Sequence, residues 1–455
     1  MANTILLNNQ ESSNSRYIPS QASKRDNLSA LLDGILIFCV TLYAWNQSHF
    51  QFNLYWQSES ATQVLIVILI TACILGVLMG VLQIISKQLF VLVITYAILC
   101  LIYGALSKIA NDISYLFYLK AIVITLVMIW IIRDYRRIKF ILWLNFLLGF
   151  TLILLNSVTI LHWLDWINLS YESVPRVGGE KDLYHLDPYH FGFFGLTENY
   201  VYPGSYFGTA RLQGWSSEPL HWSYFVLLTF SCAAMLISIY RNTIIRSLLV
   251  VSMFVIGIHI FFMQSSTIII SVCAIVLTVM AFKILKWLKI SDNKITHLVF
   301  FILVIVPGLL IPFFIATVPG VYDIFLQDTL LREGNNWETK LNFLTLGSNL
   351  YYHFLPSPSS FGLVTHNLIL EKYLVSGYFL LAPLLWFIYK YLKYIGNKSS
   401  WMVLATITVV IAHTLTIPTQ FFYPSGAMWF FIIAGLASFK KTNNLPIINK
   451  VILNG

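Results

Sequence analysis

Two ionisable residues, Arg211 and Glu218, stand just before a long apolar run in the sequence. Ionisable groups beside such a run are costly unless paired or wetted, so they are candidates for function. The guanidinium of arginine stays charged and binds phosphate oxygens with paired hydrogen bonds, which suits a pyrophosphate leaving group. Glu218 could orient Arg211 or act as a base. A structural Arg211–Glu218 ion pair, with Gly214 only as a turn residue, explains the same spacing.

A second arginine and a histidine follow in the later half of the chain. The segment from Arg332 to Trp337 precedes His366-Asn367, which stands at the beginning of another apolar run. Histidine is the usual general base near neutral pH, and a sugar hydroxyl that attacks an anomeric carbon must lose its proton. His366 is therefore the candidate base. The alternative is that His366 only forms hydrogen bonds at the start of a helix.

Aromatic residues are concentrated just upstream of Glu218. They are Phe191, Phe193, Phe194, Tyr200, Tyr202, Tyr206 and Phe207. Tyrosine and tryptophan prefer the lipid headgroup layer, so anchoring at a membrane surface is one interpretation. The other is a stacking platform for sugar rings, because an aromatic face suits the CH face of a pyranose.

The composition is that of a polytopic membrane protein. Apolar residues make up 58% of the 455 residues and charged residues 10%, against about 25% charged residues in soluble domains. A soluble enzyme is therefore excluded. The five cysteines lie in apolar runs without metal-ligand spacing, and no phosphate-binding loop motif is present. The net charge of +9 does not by itself indicate nucleic acid, because the placement of the charges matters more.

We predict an all-α protein with about twelve membrane-spanning helices, since a crossing needs about 20 mainly apolar residues. The runs lie near 29–45, 62–84, 88–107, 114–132, 140–163, 221–240, 247–264, 266–286, 297–317, 371–389, 400–416 and 426–439. Lysine and arginine accumulate in cytoplasmic loops, and most of the 28 residues of these types fall in alternate connections. This pattern predicts that both termini are cytoplasmic.

Two of the predicted outer connections are far longer than ordinary links. The predicted organisation is a tail over 1–28, helices 1–5 within 29–163, a long outer loop over 164–220, helices 6–9 within 221–317, a second long loop over 318–370, helices 10–12 within 371–439 and a tail over 440–455. The candidate residues therefore share one side of the membrane.

Three motifs occur in order: R-x-x-G-x-x-x-E-P over 211–219, R-x-x-x-x-W over 332–337 and H-N-x-x-L over 366–370. With the two long outer loops, they make the region from about 206 to 377 resemble the O-antigen polymerase and ligase superfamily. Its members are glycosyltransferases of the bacterial inner membrane.

The resemblance implies a helical fold of the glycosyltransferase C type, with a periplasmic active site and a glycan on undecaprenyl pyrophosphate as donor. Arg211 and Arg332 would hold the pyrophosphate and His366 would activate the acceptor hydroxyl, with Glu218 completing the catalytic set. The substrate-binding set would be Gly214, Trp215, Pro219, Trp337 and Asn367. No metal or other cofactor is expected. The expected partners are the lipid bilayer and a chain-length regulator in the same membrane, not nucleic acid.

The Glu218-Pro219 form of the first motif resembles polymerases more than ligases. A polymerase would extend a lipid-linked repeat unit of O-antigen, capsule or exopolysaccharide, whereas a ligase would transfer glycan to the lipid A core. The chain departs from the family at Gln264-Ser265-Ser266-Thr267, where many relatives have Ser-Arg. One phosphate contact is therefore missing.

A transporter or flippase of lipid-linked sugars is the rival from another class. Transporters place ionisable residues at the membrane midplane and contain broken helices. The buried charges read from this sequence are few, with Asp33 and Lys120 near the ends of their runs. His259 and His413 are expected to be satisfied polar residues. A purely structural scaffold would leave the three motifs unexplained.

Overall fold

The computed structural model describes residues 23–46, 87–109, 115–163, 166–167, 172–175, 183–186, 197–198, 219–263, 266–310, 368–395, 400–416 and 418–442. Most of them are helical. The predicted run over 62–84 and the end of the ninth run, 311–317, lie outside the described residues. Each of the other predicted runs contains a helix.

The described residues of the first part of the chain form five helices. They are α1 (Ser23–Asn46), α2 (Lys87–Ile109), α3 (Tyr115–Ile131), α4 (Tyr135–Asn156) and the short α5 (Val158–Trp163). The sharp turn between α3 and α4 has a local cause. Asp134 has an extended backbone, and its carboxylate accepts a hydrogen bond of 2.8 Å from the backbone N–H of Arg136. This contact caps the beginning of α4.

The described residues of the second part form seven α-helices and three irregular helical segments. The helices are α6 (Pro219–Ile239), α7 (Thr243–Met263), α8 (Ser266–Trp287), α9 (Asp292–Phe300), α10 (Leu368–Ile395), α11 (Ser400–Ile411) and α12 (Pro424–Thr442). A π-helical stretch, Phe301–Leu310, continues α9. The π-helical turn Ala412–Thr416 and the 3₁₀ turn Pro418–Phe422 join α11 to α12, and we call these two turns the double turn.

The predominance of helix confirms the predicted helical class, and a small antiparallel sheet accompanies the helices. Strands β1 (Glu172–Pro175), β2 (Leu183–Leu186) and β3 (Thr197–Glu198) pair in that order within the first predicted loop. Glu172 lies opposite Leu186, and His185 lies opposite Glu198. Strands of two to four residues carry too little alternation of polar and apolar residues to be recognised in a sequence.

Five of the described helices are long and apolar enough to cross a membrane. They are Gln88–Ile109, Tyr135–Asn156, Trp222–Ile239, Thr243–Met263 and Ile268–Trp287, and shorter apolar helices accompany them. Large apolar side chains face outward along α7, where Phe254 is 71% exposed and Leu248 62% exposed. Such a surface is unfavourable in water and suits acyl chains, so these helices have the character of membrane-inserted segments.

Side-chain contacts show that α6 and α11 run antiparallel. The Tyr224 hydroxyl lies 2.7 Å from Nε2 of His413, and the Ser231 hydroxyl donates to the Ala405 carbonyl at 3.0 Å. Residue numbers therefore increase along α6 in the direction in which they decrease along α11.

One end of the bundle gathers positively charged residues. Arg137 of α4 pairs with Asp33 of α1 at 2.7 Å, and Lys139 lies over the ring of Tyr240, next to Arg241. We call this the basic end. We call the opposite end, which carries Trp222, His259, Lys372 and His413, the polar-network end. The clustering agrees with the predicted alternation of lysine and arginine along the chain.

The interior is continuous and strongly aromatic around Tyr96 of α2. Its ring lies 5.5 Å from the rings of both Phe387 and Phe431. Its hydroxyl donates to the carbonyl of Phe421 at 2.7 Å. This contact ties α2 to the double turn and helps to hold α10 and α12 around the same core.

Helix α12 approaches the α3–α4 corner closely at Gly435. A Cβ atom at this position would lie 2.7 Å from both Cβ and Cγ2 of Ile132. Because Ile132 Cβ is fixed to the backbone, a rotamer change cannot relieve the contact. Small residues at crossings allow apolar helices to approach each other, and this crossing depends on one.

We expect Gly435→Ala to lower the free energy of unfolding by about 1–3 kcal/mol, the usual cost of overpacking. Unfolding in detergent would measure it. Gly257→Ala is the matched control, because a Cβ there meets nothing within 4 Å. It should be neutral or stabilising by up to about 1 kcal/mol through helix propensity. Equal stability of the two variants would contradict the close crossing.

Candidate functional site

The residues predicted to carry the chemistry lie mostly outside the described residues. They are Arg211, Gly214, Trp215, Glu218, Arg332, Trp337, His366 and Asn367. Pro219 is the first residue of α6, and its side chain is not among those described. The structure does describe the helices to which these segments are attached. Helix α6 begins directly after Glu218, and α10 begins two residues after His366.

The beginnings of α6 and α10 belong to the same end of the bundle. Both helices pack against the double turn. Tyr224, in the second turn of α6, lies 2.7 Å from His413 in the double turn. Lys372, in the second turn of α10, lies 5.6 Å from the ring centre of Phe422 at the other end of the double turn. The helices that follow the first and third motifs therefore begin at the polar-network end.

A series of hydrogen bonds from Trp222 through His259 and Ser157 holds the beginning of α6. The indole N–H of Trp222 donates to Nε2 of His259 at 2.7 Å, and Nδ1 of His259 lies 3.1 Å from the hydroxyl of Ser157. Since Nε2 accepts, Nδ1 carries the proton and donates to Ser157. Ser157 in turn donates to the carbonyl of Ile153. His259 is completely buried and has a partner on each ring nitrogen, which confirms the prediction of a satisfied polar residue.

His413 occupies a similar position in the double turn. Its Nδ1 lies 2.7 Å from the carbonyl of Val409, which can only accept, so Nδ1 donates. Nε2 is then left as an acceptor for the hydroxyl of Tyr224 at 2.7 Å. This geometry also confirms the prediction for His413. The two histidines fix helices in place, and both ring nitrogens of each are occupied.

A buried ion pair lies in the first two turns of α10. Nζ of Lys372 is 2.8 Å from Oε1 of Glu371, and the side chains are only 3% and 8% exposed. Nζ also lies 3.4 Å from the hydroxyl of Tyr118. It lies 5.5 Å from the ring centre of Tyr103, so aromatic rings surround the ammonium group. Neither Glu371 nor Lys372 was among the residues predicted from the sequence to carry chemistry.

A signal for this pair was present in the sequence. Two opposite charges stand side by side at the beginning of an apolar helix, five and six residues after His366. Ionisable residues within apolar segments are expensive and usually functional. The broken backbone of α10 at Gly377, with φ 61° and ψ −176°, has no such signal, because glycine is common in apolar helices.

Buried polar atoms without hydrogen-bond partners are also concentrated at this end. Among the described residues they are Oε2 of Glu371, Nε2 of Gln420, both amide atoms of Asn156 and the hydroxyl of Tyr43. Asn156 ends α4, Gln420 lies in the double turn and Tyr43 is in the last turn of α1. Buried polar groups normally have partners, and an exception is explained by strain, by a functional role or by a bound water or ion.

Comparisons with known proteins add no relative. No family model, no curated protein sequence and no solved structure matches the chain. The functional argument therefore depends on the motifs and on the geometry of the polar-network end.

We expect Trp222→Phe to lower the free energy of unfolding by about 1–3 kcal/mol, because it removes the indole N–H and leaves Nε2 of His259 buried without a donor. Unfolding in detergent would test this. Trp143→Phe is the control, since it removes a bond of the same length, 2.7 Å to the Tyr240 hydroxyl, at a half-buried site. Trp143→Phe should lower the free energy of unfolding by less than Trp222→Phe does. A larger loss in Trp143→Phe would overturn the assignment of Trp222 as the anchor of α6.

Proposed function

We propose that the chain is a polysaccharide polymerase of the bacterial inner membrane. It would transfer glycan from undecaprenyl pyrophosphate onto a lipid-linked repeat unit of O-antigen, capsule or exopolysaccharide, at the periplasmic face. The proposal rests on one combined observation. Three motifs typical of the O-antigen polymerase and ligase superfamily occur in order, and the helices that follow the first and the third begin at the same end of the bundle.

The proposed reaction needs a base and charge neutralisation. His366 removes the proton of the acceptor hydroxyl while its oxygen attacks the anomeric carbon of the donor glycan. The bond between that carbon and the pyrophosphate oxygen breaks, and undecaprenyl pyrophosphate leaves. Arg211 and Arg332 bind the departing oxyanion, and Glu218 orients Arg211. Pyrophosphate is a good leaving group, so two arginines and one base form a sufficient set.

The polar-network end supports this assignment indirectly. Transfer requires the arginine and the base to be held within a fraction of an ångström of their working positions. The fully buried Trp222 and His259 fix the beginning of α6, three residues beyond Pro219. The buried Glu371–Lys372 pair lies at the beginning of α10. Two segments bearing proposed catalytic residues thus continue into firmly packed helices.

A transporter of lipid-linked sugars is the second candidate. The buried Glu371–Lys372 pair and the break at Gly377 favour it, because buried charges and broken helices are typical of transporters. The pair lies at one end of the bundle, however, whereas transporters place such groups near the midplane. The polymerase therefore accounts for more of the chain.

The deciding measurement is the glycan profile of a strain that lacks this chain. Single repeat units on lipid, with one unit on the final acceptor, are expected for a missing polymerase. Long polymer on undecaprenyl pyrophosphate would identify a ligase instead. Repeat units confined to the cytoplasmic leaflet would identify a flippase.

We expect His366→Ala to reduce polymer by about 10²-fold or more, because it removes the general base. The strain would be complemented with wild type or variant, and polymer and membrane-inserted protein would be quantified together. Arg211→Ala and Arg332→Ala should have the same phenotype. The control is His297→Ala, because His297 binds the Tyr389 hydroxyl at 2.8 Å in α9, away from the polar-network end. A normal profile in His366→Ala would remove His366 from the mechanism.

A further inference from the structure

Adjacent residues of a helix do not normally pair, because their side chains point about 100° apart. Glu371 and Lys372 nevertheless form a buried ion pair of 2.8 Å. Lys372 reaches into a ring of aromatic side chains from Tyr103, Tyr118 and Phe422. The carboxylate of Glu371 turns towards the ammonium group of Lys372 and neutralises its charge. The pair thus joins α10 to α2, α3 and the double turn.

Stability alone is a poor explanation for this pair. Removing two charges from water costs about as much as their attraction returns, and a buried pair can often be replaced by apolar residues without loss. The geometry is also incomplete, because Oε2 of Glu371 is buried and has no hydrogen-bond partner in the described part of the chain. Proteins break the rule that buried polar groups are partnered mainly at functional sites.

The backbone of α10 shows what the pair can control. Gly377 has φ 61° and ψ −176°, so the helix is broken there, and its first piece is short. Because the regular hydrogen-bond pattern is interrupted there, it does not fix the orientation of the first piece relative to the long piece. The direction of the first piece must therefore be set by tertiary contacts. Leu368 and Ile369 are buried within that piece, and the ion pair adds the directional contacts.

We propose that Glu371 and Lys372 are a positioning pair for the polymerase reaction. They fix the first piece of α10, and with it the direction in which the chain leaves towards His366 and Asn367. The inference rests on the proposed function, since it assigns the pair a role in that reaction. Neither residue needs to touch the substrate. Lys372 holds the piece on three aromatic rings, and Glu371 keeps the ammonium group neutralised inside the bundle.

The test uses the double variant Glu371→Gln/Lys372→Met in the full-length protein in lipid nanodiscs. Both replacements are neutral and close in size to the native residues, so unfolding should change little. The substrate is the undecaprenyl-pyrophosphate-linked repeat unit extracted from the deletion strain. We expect kcat to fall about 10-fold to 100-fold, the scale for a displacement of about 1 Å in a catalytic group. KM should stay within about twofold, because the pair does not bind the substrate.

Two further variants sharpen the result. Lys372→Arg keeps a cation over the aromatic rings and should retain most of kcat. Asp33→Asn/Arg137→Met removes the Asp33–Arg137 ion pair, whose side chains are 23% and 21% exposed, at the basic end. It should leave both kcat and KM unchanged. Together these variants separate a local role from a general effect of losing an ion pair.

The outcomes are distinct. Full activity of a normally folded Glu371→Gln/Lys372→Met variant would overturn the positioning role, and so would a rise in KM at constant kcat. If that variant does not fold, Glu371→Asp takes its place, because it keeps the charge but shortens the reach by one methylene. Unchanged kcat in Glu371→Asp would then overturn the role. Absence of polymer with wild-type protein would instead overturn the proposed function itself.

Discussion

Irregular backbone inside an apolar bundle must find hydrogen-bond partners, because no water or lipid can supply them. The chain meets this constraint with tyrosines. The hydroxyl of Tyr96 donates to the carbonyl of Phe421 in the double turn, and the hydroxyl of Tyr103 donates to the carbonyl of Leu380, three residues after the break at Gly377. Both tyrosines belong to α2. Helix α2 therefore contacts both the double turn and the longer piece of α10 near its break, beside the polar-network end.

The two ends of the bundle use polar residues in different ways. At the basic end the cations are partly exposed and rest on aromatic rings, as where the guanidinium of Arg137 lies 3.8 Å from the ring centre of Trp130. Such cations reach outward while their stems cover apolar surface. At the polar-network end the groups are buried and connected, as with His259 and His413. The first arrangement suits orientation in a membrane, and the second suits exact placement of the segments that follow.

The buried Glu371–Lys372 pair of α10 has features of both ends of the bundle. It is a charged contact like those of the basic end, yet it is enclosed like the histidine contacts. It also lies beside the double turn, whose Phe422 ring faces the ammonium group. The helix that follows the candidate base is thereby tied to the helices that support the irregular turns. Under the proposed function, the helices that would position His366 are therefore the same ones that partner the irregular backbone.

The sequence by itself determined the helical class, the positions of the apolar helices and the gathering of lysine and arginine at one end. These features depend on local composition and on the sign of each charge, which are visible residue by residue. The three motifs and their order were also visible, and their shared side of the membrane is a prediction. Tertiary structure decided which side chains meet. Trp222 and His259 are 37 residues apart and Tyr118 and Lys372 are 254 apart, and pairs so distant are brought together only by packing. The small sheet over 172–198 and the break at Gly377 were likewise missed, because neither leaves a periodic pattern in the sequence.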